Sequence, residues 1–355
     1  WTDDFGERGT DPERGPGWRF GALPLIDGGT AVTMIVPHTL GDGLCVLEAI
    51  ADAVEGRRRR PDYPPRGGRR RDHVLVSDAV SFVGDLPSVA RAVVVGARLA
   101  RARSGPAPSR RAPSAPTAPP APTSAPFRVP VACVRVAQAD WDDAAARRGG
   151  TSNTLVSAFA ARLGERFHRL DGDDRVTLAV PVSVRVDGDT RANALDSATV
   201  KVDPVGLVDD LRGLRAATKA SLVALAEESH DLAAVLPLTP LMPAAVVRRA
   251  EAVAMGASEL PVGCSNYGEL PSAVVRVDGA DPDDFWVRFN EPGLVPADLD
   301  RIGGQLYVLS GRALGSVVLS TVAQPVGGGL DRADLHRHVA AVLAEFERIA
   351  SAITR

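Results

Sequence analysis

A single histidine, His38, stands in a short segment that could present it for proton transfer. Residues 36–43 read Val-Pro-His-Thr-Leu-Gly-Asp-Gly and join an apolar run to a helical pattern. An imidazole with an ordinary pKa of about 6.5 is largely neutral at cytoplasmic pH and can take a proton from an attacking hydroxyl. The segment alone fits two interpretations: a partly buried histidine at the end of a strand that bonds to the backbone, or a general base at His38 held on a glycine-bracketed turn. By itself it favours the first, and the motifs described below favour the second.

The elements on either side of this turn are expected to fix its position. The apolar run 30–36 and the segment 21–26, joined through Asp-Gly-Gly, predict a β-hairpin. The apolar positions after the turn recur at helical spacing: Leu44, Leu47, Ile50, Ala51 and Val54. Asp42 then occupies the N-cap position of a helix, and Gly43 allows the backbone to approach a neighbour closely. We expect both residues to hold the turn rather than to react.

The spacing His-x-x-x-Asp-Gly resembles the active-site motif of the CoA-dependent acyltransferase superfamily. That superfamily includes chloramphenicol acetyltransferase, peptide-synthetase condensation domains and the wax ester synthase/diacylglycerol acyltransferases. Four more segments, within residues 16 to 352, are similar to motifs of the last branch in the same order: Pro16-Gly17-Trp18-Arg19, Thr151-Ser152-Asn153-Thr154-Leu155, Val180-Pro181-Val182-Ser183-Val184-Arg185 and Cys264-Ser265-Asn266-Tyr267-Gly268-Glu269-Leu270-Pro271. The chain departs from that branch at Gly17, Pro37 and Thr154.

The resemblance implies an α/β fold of α+β layers, a chloramphenicol acetyltransferase-like sandwich of two subdomains with a central tunnel. It implies transfer of a fatty acyl group from acyl-CoA to a lipid hydroxyl, on a fatty alcohol or diacylglycerol, without a covalent acyl-enzyme. His38 is then the base, and Asp42 pairs with an arginine, for which Arg185 is one candidate. The residues implied to bind substrate are Trp18, Asn153, Ser265 and Asn266.

Several of these residues also have structural explanations. Asn153 could cap a helix, as could Thr151 or Ser152. The Asn-Tyr-Gly sequence that begins at Asn266 is typical of a turn. The sequence alone leaves these explanations open.

Two other functions fit the same sequence. One is a condensation-domain-like or polyketide-associated acyltransferase that acts on an amine or on a carrier-bound substrate. The other is a lipid-binding protein with weak catalysis, favoured by the departures from the family motif. The sequence contains no Gly-x-Ser-x-Gly elbow, so it does not suggest an acyl-serine.

Composition excludes some classes of partner and cofactor. The net charge of −3 argues against nucleic acid as the main partner. Neither a signal peptide nor an unbroken run of about 18 apolar residues is present, so we expect a cytoplasmic protein without a membrane span. Cys45, Cys133 and Cys264 are widely spaced, with no Cys-x-x-Cys pair, and predict buried thiols in a reducing compartment. His336 and His338 do not share a helix face, and we expect no metal and no cofactor beyond acyl-CoA as co-substrate.

Low complexity suggests where domains meet. Residues 104–126 are rich in proline and alanine and predict an extended linker between an N-terminal subdomain, 1–103, and a C-terminal subdomain, 127–355. The first subdomain looks truncated beside the family. Its arginine-rich segments, 57–71 and 86–103, predict peripheral contact with an anionic lipid surface or droplet.

The remaining patterns predict a mixed set of helices and strands. Residues 1–15 are expected to be flexible, and a helix to begin at Asp85. Further helices are predicted at 138–148, 152–170, 207–226, 244–255 and 331–353, and strands at 127–136, 176–185, 198–202, 260–265, 272–278, 284–289 and, as a pair about Gly311, 305–322.

Overall fold

A computed structural model describes most of the 355-residue chain. The described residues are 1–58, 71–102, 128–228, 238, 241–243, 260–346 and 351–353. The predicted linker 104–126 and helix 244–255, and most of the basic segment 57–71, lie outside them.

The chain divides into two compact units. One comprises Trp1–Arg57, Ala112–Ser221 and Glu259–Arg355, and the other comprises Arg58–Arg111 and Leu222–Ser258. The first unit contains both sheets and every predicted site residue. This grouping differs from the predicted division at 103 and 127, because residues 1–57 pack with strands that follow the linker in sequence. The three-part division stays a prediction.

A mixed seven-stranded sheet forms the centre of the first unit. Its strand order is β5-β4-β6-β7-β8-β3-β9, in which β6 pairs in parallel with β4 and β7 and all other pairs are antiparallel. The strands are β3 (Val131–Ala137), β4 (Val176–Ser183), β5 (Leu195–Val202), β6 (Val262–Glu269), β7 (Gln305–Ala313), β8 (Ser316–Gln324) and β9 (Ser351–Ile353).

Helices pack on this sheet and bury the main core. They are α4 (Gln138–Arg147), α5 (Ser152–Arg166), α6 (Arg212–Glu228) and α9 (Arg332–Glu345). Phe159 and Leu163 of α5 and Leu335 of α9 are fully buried in one cluster with the strand valines. Gly164 lets α5 lie close to the sheet, since a β-carbon there would press on Val176 and Val262. Burial of this apolar surface is the main driving force for folding of the unit.

The turn with His38 is built on a second, smaller sheet. Strands β1 (Arg19–Pro24) and β2 (Thr30–Ile35) form the predicted antiparallel hairpin. Helix α2 (Gly43–Val54) follows the turn and buries Leu47 and Ala51 against Leu270 and Val274. A short helix, α7 (Ser272–Val275), belongs to this region, and another, α8 (Pro296–Ile302), precedes β7 in the chain. Helix α2, which begins at the end of the turn, therefore packs on residues from a distant part of the sequence.

The N-terminus is ordered, contrary to the prediction for residues 1–15. Thr2–Gly6 form a short helix, α1, whose Phe5 is buried beside Gly21 of β1. Asp3 accepts a hydrogen bond from Arg288 over 2.7 Å. These contacts come from residues far away in sequence, so a local pattern could not reveal them.

Several predicted boundaries were also wrong. Helix α3 runs through Arg71–Ala102 with Pro87 inside it rather than beginning at Asp85. Residues 272–275 are helical instead of extended, and 284–289 form no regular element. The strand pair turns at Leu314 and Gly315, which both have positive φ, and not at Gly311. Helix α9 ends at Glu345, before the short strand β9.

Helix α3 is long and apolar enough over Val74–Arg98 to cross a membrane, by length and composition only. The absence of an unbroken apolar run in the sequence therefore did not exclude such a segment.

Candidate functional site

His38 lies on a tight turn between β2 and α2. Strand β2 ends at Ile35, and the Leu40 N–H donates to the Pro37 carbonyl over 2.9 Å to close the turn. The His38 residue is exposed, and its carbonyl accepts a hydrogen bond from Asn193 Nδ2 over 2.9 Å. The backbone of the histidine is thus held while its ring remains accessible to a substrate.

Asp42 fixes the other end of the turn with both carboxylate oxygens. Oδ1 accepts from the Cys45 N–H over 2.8 Å and caps α2. Oδ2 accepts from Arg185 Nη2 over 2.7 Å and from the Ala194 N–H over 2.8 Å. The Asp42 side chain is completely buried and that of Arg185 is 4% exposed. The N-cap and the ion pair predicted as alternatives therefore occur together.

The ionisation of this pair follows from its hydrogen bonds. Burial raises the pKa of Asp42, but the N–H groups of Ala194 and Cys45 and the Arg185 guanidinium outweigh burial, and the net pKa is lower than usual. Burial lowers the pKa of Arg185, and the bond and charge of Asp42 outweigh that effect. Both groups are therefore charged at neutral pH. We call this buried ion pair, Asp42–Arg185, the clamp.

Arg185 extends the clamp to the loop after β4. Its Nη1 donates to the Arg191 carbonyl over 2.9 Å, and its Nη2 donates to the Ala192 carbonyl over 3.2 Å. The same loop supplies Asn193 and Ala194, which bind His38 and Asp42. The sequence gives no signal for this role of Asn193, because only the fold brings the residue to the turn.

Tyr267 of β6 packs directly against the start of α2. A β-carbon on Gly43 would overlap the Tyr267 ring, so glycine is required here for close approach. Burial and the nearby charge of Asp42 raise the pKa of Tyr267. The phenol therefore stays neutral beside the clamp at physiological pH.

Replacing Gly43 with alanine should destabilise the protein by about 1–3 kcal/mol, the usual cost of overpacking a fitted contact. The cost arises because the Tyr267 ring must move, so the combined Gly43→Ala, Tyr267→Ala variant should lose less than the sum of the single changes. Urea unfolding of the four proteins measures this coupling. Additive losses would mean that the two residues do not contact one another.

Asn153 and Asn266 form a second part of the candidate site. Thr151 caps α5 by accepting from the Thr154 N–H over 3.3 Å, so the cap is not Asn153. Instead, Asn153 Oδ1 accepts a hydrogen bond from Asn266 Nδ2. Two residues predicted independently as substrate-binding are therefore in direct contact.

The Asn-Tyr-Gly segment lies inside β6, yet it retains turn character. Asn266 Oδ1 accepts from the Gly268 N–H over 2.9 Å, Gly268 has a positive φ, and the pairing with β7 shifts register between Asn266 and Glu269. Ser265 is half-buried, and its carbonyl accepts from Ser310 Oγ over 3.4 Å. The strand is thus irregular where the predicted site residues occur.

Strand β6 connects the two parts of the site. Two consecutive residues of β6 contact the two parts of the site: Asn266 donates a hydrogen bond to Asn153, and Tyr267 packs on Gly43. The fold therefore brings Gly43, at the end of the His38 turn, and Asn153 to the same end of β6.

Trp18 is separate from these contacts. It precedes β1 and is 56% exposed. Its neighbour Gly17 lies against the His38 turn, where an added β-carbon would be 3.1 Å from Leu40 Cδ1. The substrate-binding roles of Trp18, Asn153, Ser265 and Asn266 stay predictions.

Metal and thiol chemistry find no assembled site in the described part of the chain. No group of three or more histidine, cysteine, aspartate or glutamate side chains could hold a metal ion there. The three cysteines are free. Cys133 and Cys264 are buried as predicted, whereas Cys45 is only half-buried. Burial raises the pKa of Cys264 to about 12, which leaves it unreactive.

No protein-family model matches this sequence, and no curated protein matches it. Among solved structures, it is similar to the nonribosomal peptide synthetase FmoA3 in its AMPPNP-bound form, with 17% identity over 98% of this chain and 34% of that chain and a TM-score of 0.51. The chain has a condensation-domain fold. It spans about a third of the length of that synthetase.

Two further solved structures are similar to this chain at lower TM-scores. The first condensation domain of the CDA synthetase is 13% identical over 95% of this chain and 69% of that chain, with a TM-score of 0.48. Polyketide synthase associated protein 5 from Mycobacterium tuberculosis is 17% identical over 93% of this chain and 77% of that chain, with a TM-score of 0.46. The predicted α/β, chloramphenicol acetyltransferase-like fold class is confirmed. Membership of the wax ester synthase/diacylglycerol acyltransferase branch is not shown by these similarities.

Proposed function

We propose that this protein is an acyltransferase that moves an acyl group from a thioester to a hydroxyl or amine, with His38 as general base. The observation that carries the proposal is an exposed histidine whose turn is held by a fully buried ion pair, Asp42–Arg185. A base of this kind gains from being fixed, because productive proton transfer needs a hydrogen-bonded geometry.

The reaction requires one base and no covalent enzyme intermediate. The acceptor oxygen or nitrogen attacks the thioester carbonyl while the His38 imidazole takes its proton. The tetrahedral intermediate then expels the thiolate, which recovers the proton from the imidazolium to give a free thiol. Asp42 has no part in these transfers, since both its oxygens are occupied within the clamp.

Two classes of substrate compete within this chemistry. The motifs around Trp18, Asn153 and Asn266 resemble enzymes that join fatty acyl-CoA to a fatty alcohol or diacylglycerol. The fold is that of condensation domains, and the synthetase it resembles makes peptides, which favours an amine or a carrier-bound substrate. We give the second class priority because the fold supports it over 98% of the chain.

An acceptor panel separates these classes. The protein is incubated with mixed acyl-CoA and acyl-pantetheine thioesters, with either alcohols or amines, and thiol release and product mass are measured. Amide formation supports the condensation-type reaction, and ester formation supports the lipid reaction. Acyl chains that copurify with the protein, without thiol release from any pair, would instead identify a lipid-binding protein.

A further inference from the structure

Helix α3 exposes an apolar face for which the proposed acyl transfer has no use. Its first half carries six large apolar side chains that are between 44% and 72% exposed: Leu75, Val76, Val80, Phe82, Val83 and Leu86. Val93 and Val94 continue the same exposure in the second half. A soluble surface rarely shows so many neighbouring apolar side chains unless they contact a partner or a membrane.

The exposed residues share one side of the helix. Leu75, Phe82, Leu86 and Val93 recur at spacings of seven, four and seven residues, which places them on one stripe. Ala92, on the opposite side, is fully buried. The small residues Ser77, Ser81 and Ser88 on that opposite side are exposed as well, so the large apolar side chains face solvent rather than a protein core.

The sequence around this helix is strongly basic. Residues 57–111 contain fourteen arginines, four aspartates and no lysine or glutamate, a net charge of +10 in a chain whose total is −3. Within α3 itself, Arg91, Arg98 and Arg101 follow the apolar stretch, and no acidic residue follows Asp85. An apolar helix face with arginine-rich flanks is suited to a membrane surface, where acyl chains lie beneath anionic headgroups.

We propose that α3 docks this protein on an anionic membrane surface, with its apolar face among the acyl chains and its arginines at the lipid headgroups. The helix lies along the membrane rather than across it. Asp78 and Asp85 flank the apolar stripe, three residues after Leu75 and Phe82, and a spanning helix would carry both carboxylates into hydrocarbon, which is costly.

Flotation with vesicles tests the apolar part of this surface. The full chain is mixed with vesicles of phosphatidylcholine alone or of phosphatidylcholine with phosphatidylserine. The triple variant Leu75→Gln, Phe82→Gln, Leu86→Gln should bind the anionic vesicles at least about 100-fold more weakly, since each buried large side chain contributes roughly tenfold. The matched control Ser77→Gln, Ser81→Gln, Ser88→Gln places the same residues on the other side of α3 and should bind like the unmodified protein. Circular dichroism checks that both variants fold.

A further triple variant tests the contribution of the arginines of α3. Replacing Arg91, Arg98 and Arg101 with glutamine should remove about tenfold or more of the preference for anionic over neutral vesicles and leave residual apolar binding. Three results would overturn the proposal. The first is equal vesicle binding by the Leu75/Phe82/Leu86 variant and the Ser77/Ser81/Ser88 variant. The second is tighter binding to a DNA duplex than to anionic vesicles, and the third is self-association that buries α3 and that vesicles do not reverse. None of these readouts depends on acyl transfer.

Discussion

Replacing His38 with alanine is expected to reduce turnover by about 10²–10⁴-fold, the range that a general base contributes. The loss should appear in kcat, because the imidazole acts on the attacking group and not on substrate binding. The stability of the protein should change little, since the His38 side chain is exposed and the turn is held through its backbone. Thiol release under saturating thioester and acceptor measures the effect.

The control for this change is another exposed histidine. His168 has a φ of 55°, a conformation that asparagine tolerates, so His168→Asn is the suitable variant. It should retain full turnover, while His38→Asn should be as defective as His38→Ala. Full activity in the His38 variants would remove the base from the mechanism and leave the fold without the chemistry proposed for it.

The second large effect concerns the buried pair of Asp42 and Arg185. Replacing Asp42 with alanine should lower the free energy of unfolding by about 3–5 kcal/mol, because the Arg185 charge is then buried without its partner. The helix cap and the Ala194 hydrogen bond are lost as well. Urea unfolding measures the loss. Turnover should also fall, since the turn that carries His38 is released.

An exposed ion pair provides the comparison. Asp143 pairs with Arg147 on α4 and is 65% exposed. The Asp143→Ala change should have little effect on stability, because solvent-exposed pairs contribute little. Equal losses in the two variants would show that Asp42 contributes no more than a surface carboxylate.

The pH dependence of stability has a defined sign. The folded-state pKa of Asp42 is lower than its unfolded value, so its contribution is present above the unfolded pKa of about 3.9 and is lost as the pH falls through the folded pKa. The unmodified protein should lose this component below about pH 4. In Asp42→Asn the component should be missing at neutral pH, so the stability difference between the two proteins should narrow on acidification.

The local part of the site could be predicted from sequence. A strand, a turn and a capped helix are encoded within about 25 residues, so local spacing is enough to place His38, Asp42 and Gly43. Arg185 was identified only through its motif, and the ion pair is present. Tyr267 and Asn193 lie more than 150 residues from the elements they hold, and no local periodicity records such contacts.

The errors in secondary structure have a similar origin. Residues 272–275 are apolar enough for a strand, but they pack as a single helical turn on α2, which local propensity does not describe. Pro87 suggested the start of a helix, because proline is favoured in the first turn. In the structure α3 passes through it, and the interruption that proline usually causes is absent from the assigned helix.

The two sheets should differ in how readily they open. Strand β6 is paired on both sides within seven strands, whereas the strand that delivers His38 belongs to a ribbon of only two. Two-stranded ribbons are marginal by themselves and exchange their amide protons through local fluctuations. Arg185, just after the end of β4, therefore ties the turn that carries His38 to the seven-stranded sheet, in which we expect slower amide exchange. Loss of the Asp42–Arg185 ion pair would let the His38 turn fluctuate while the seven-stranded sheet stayed folded.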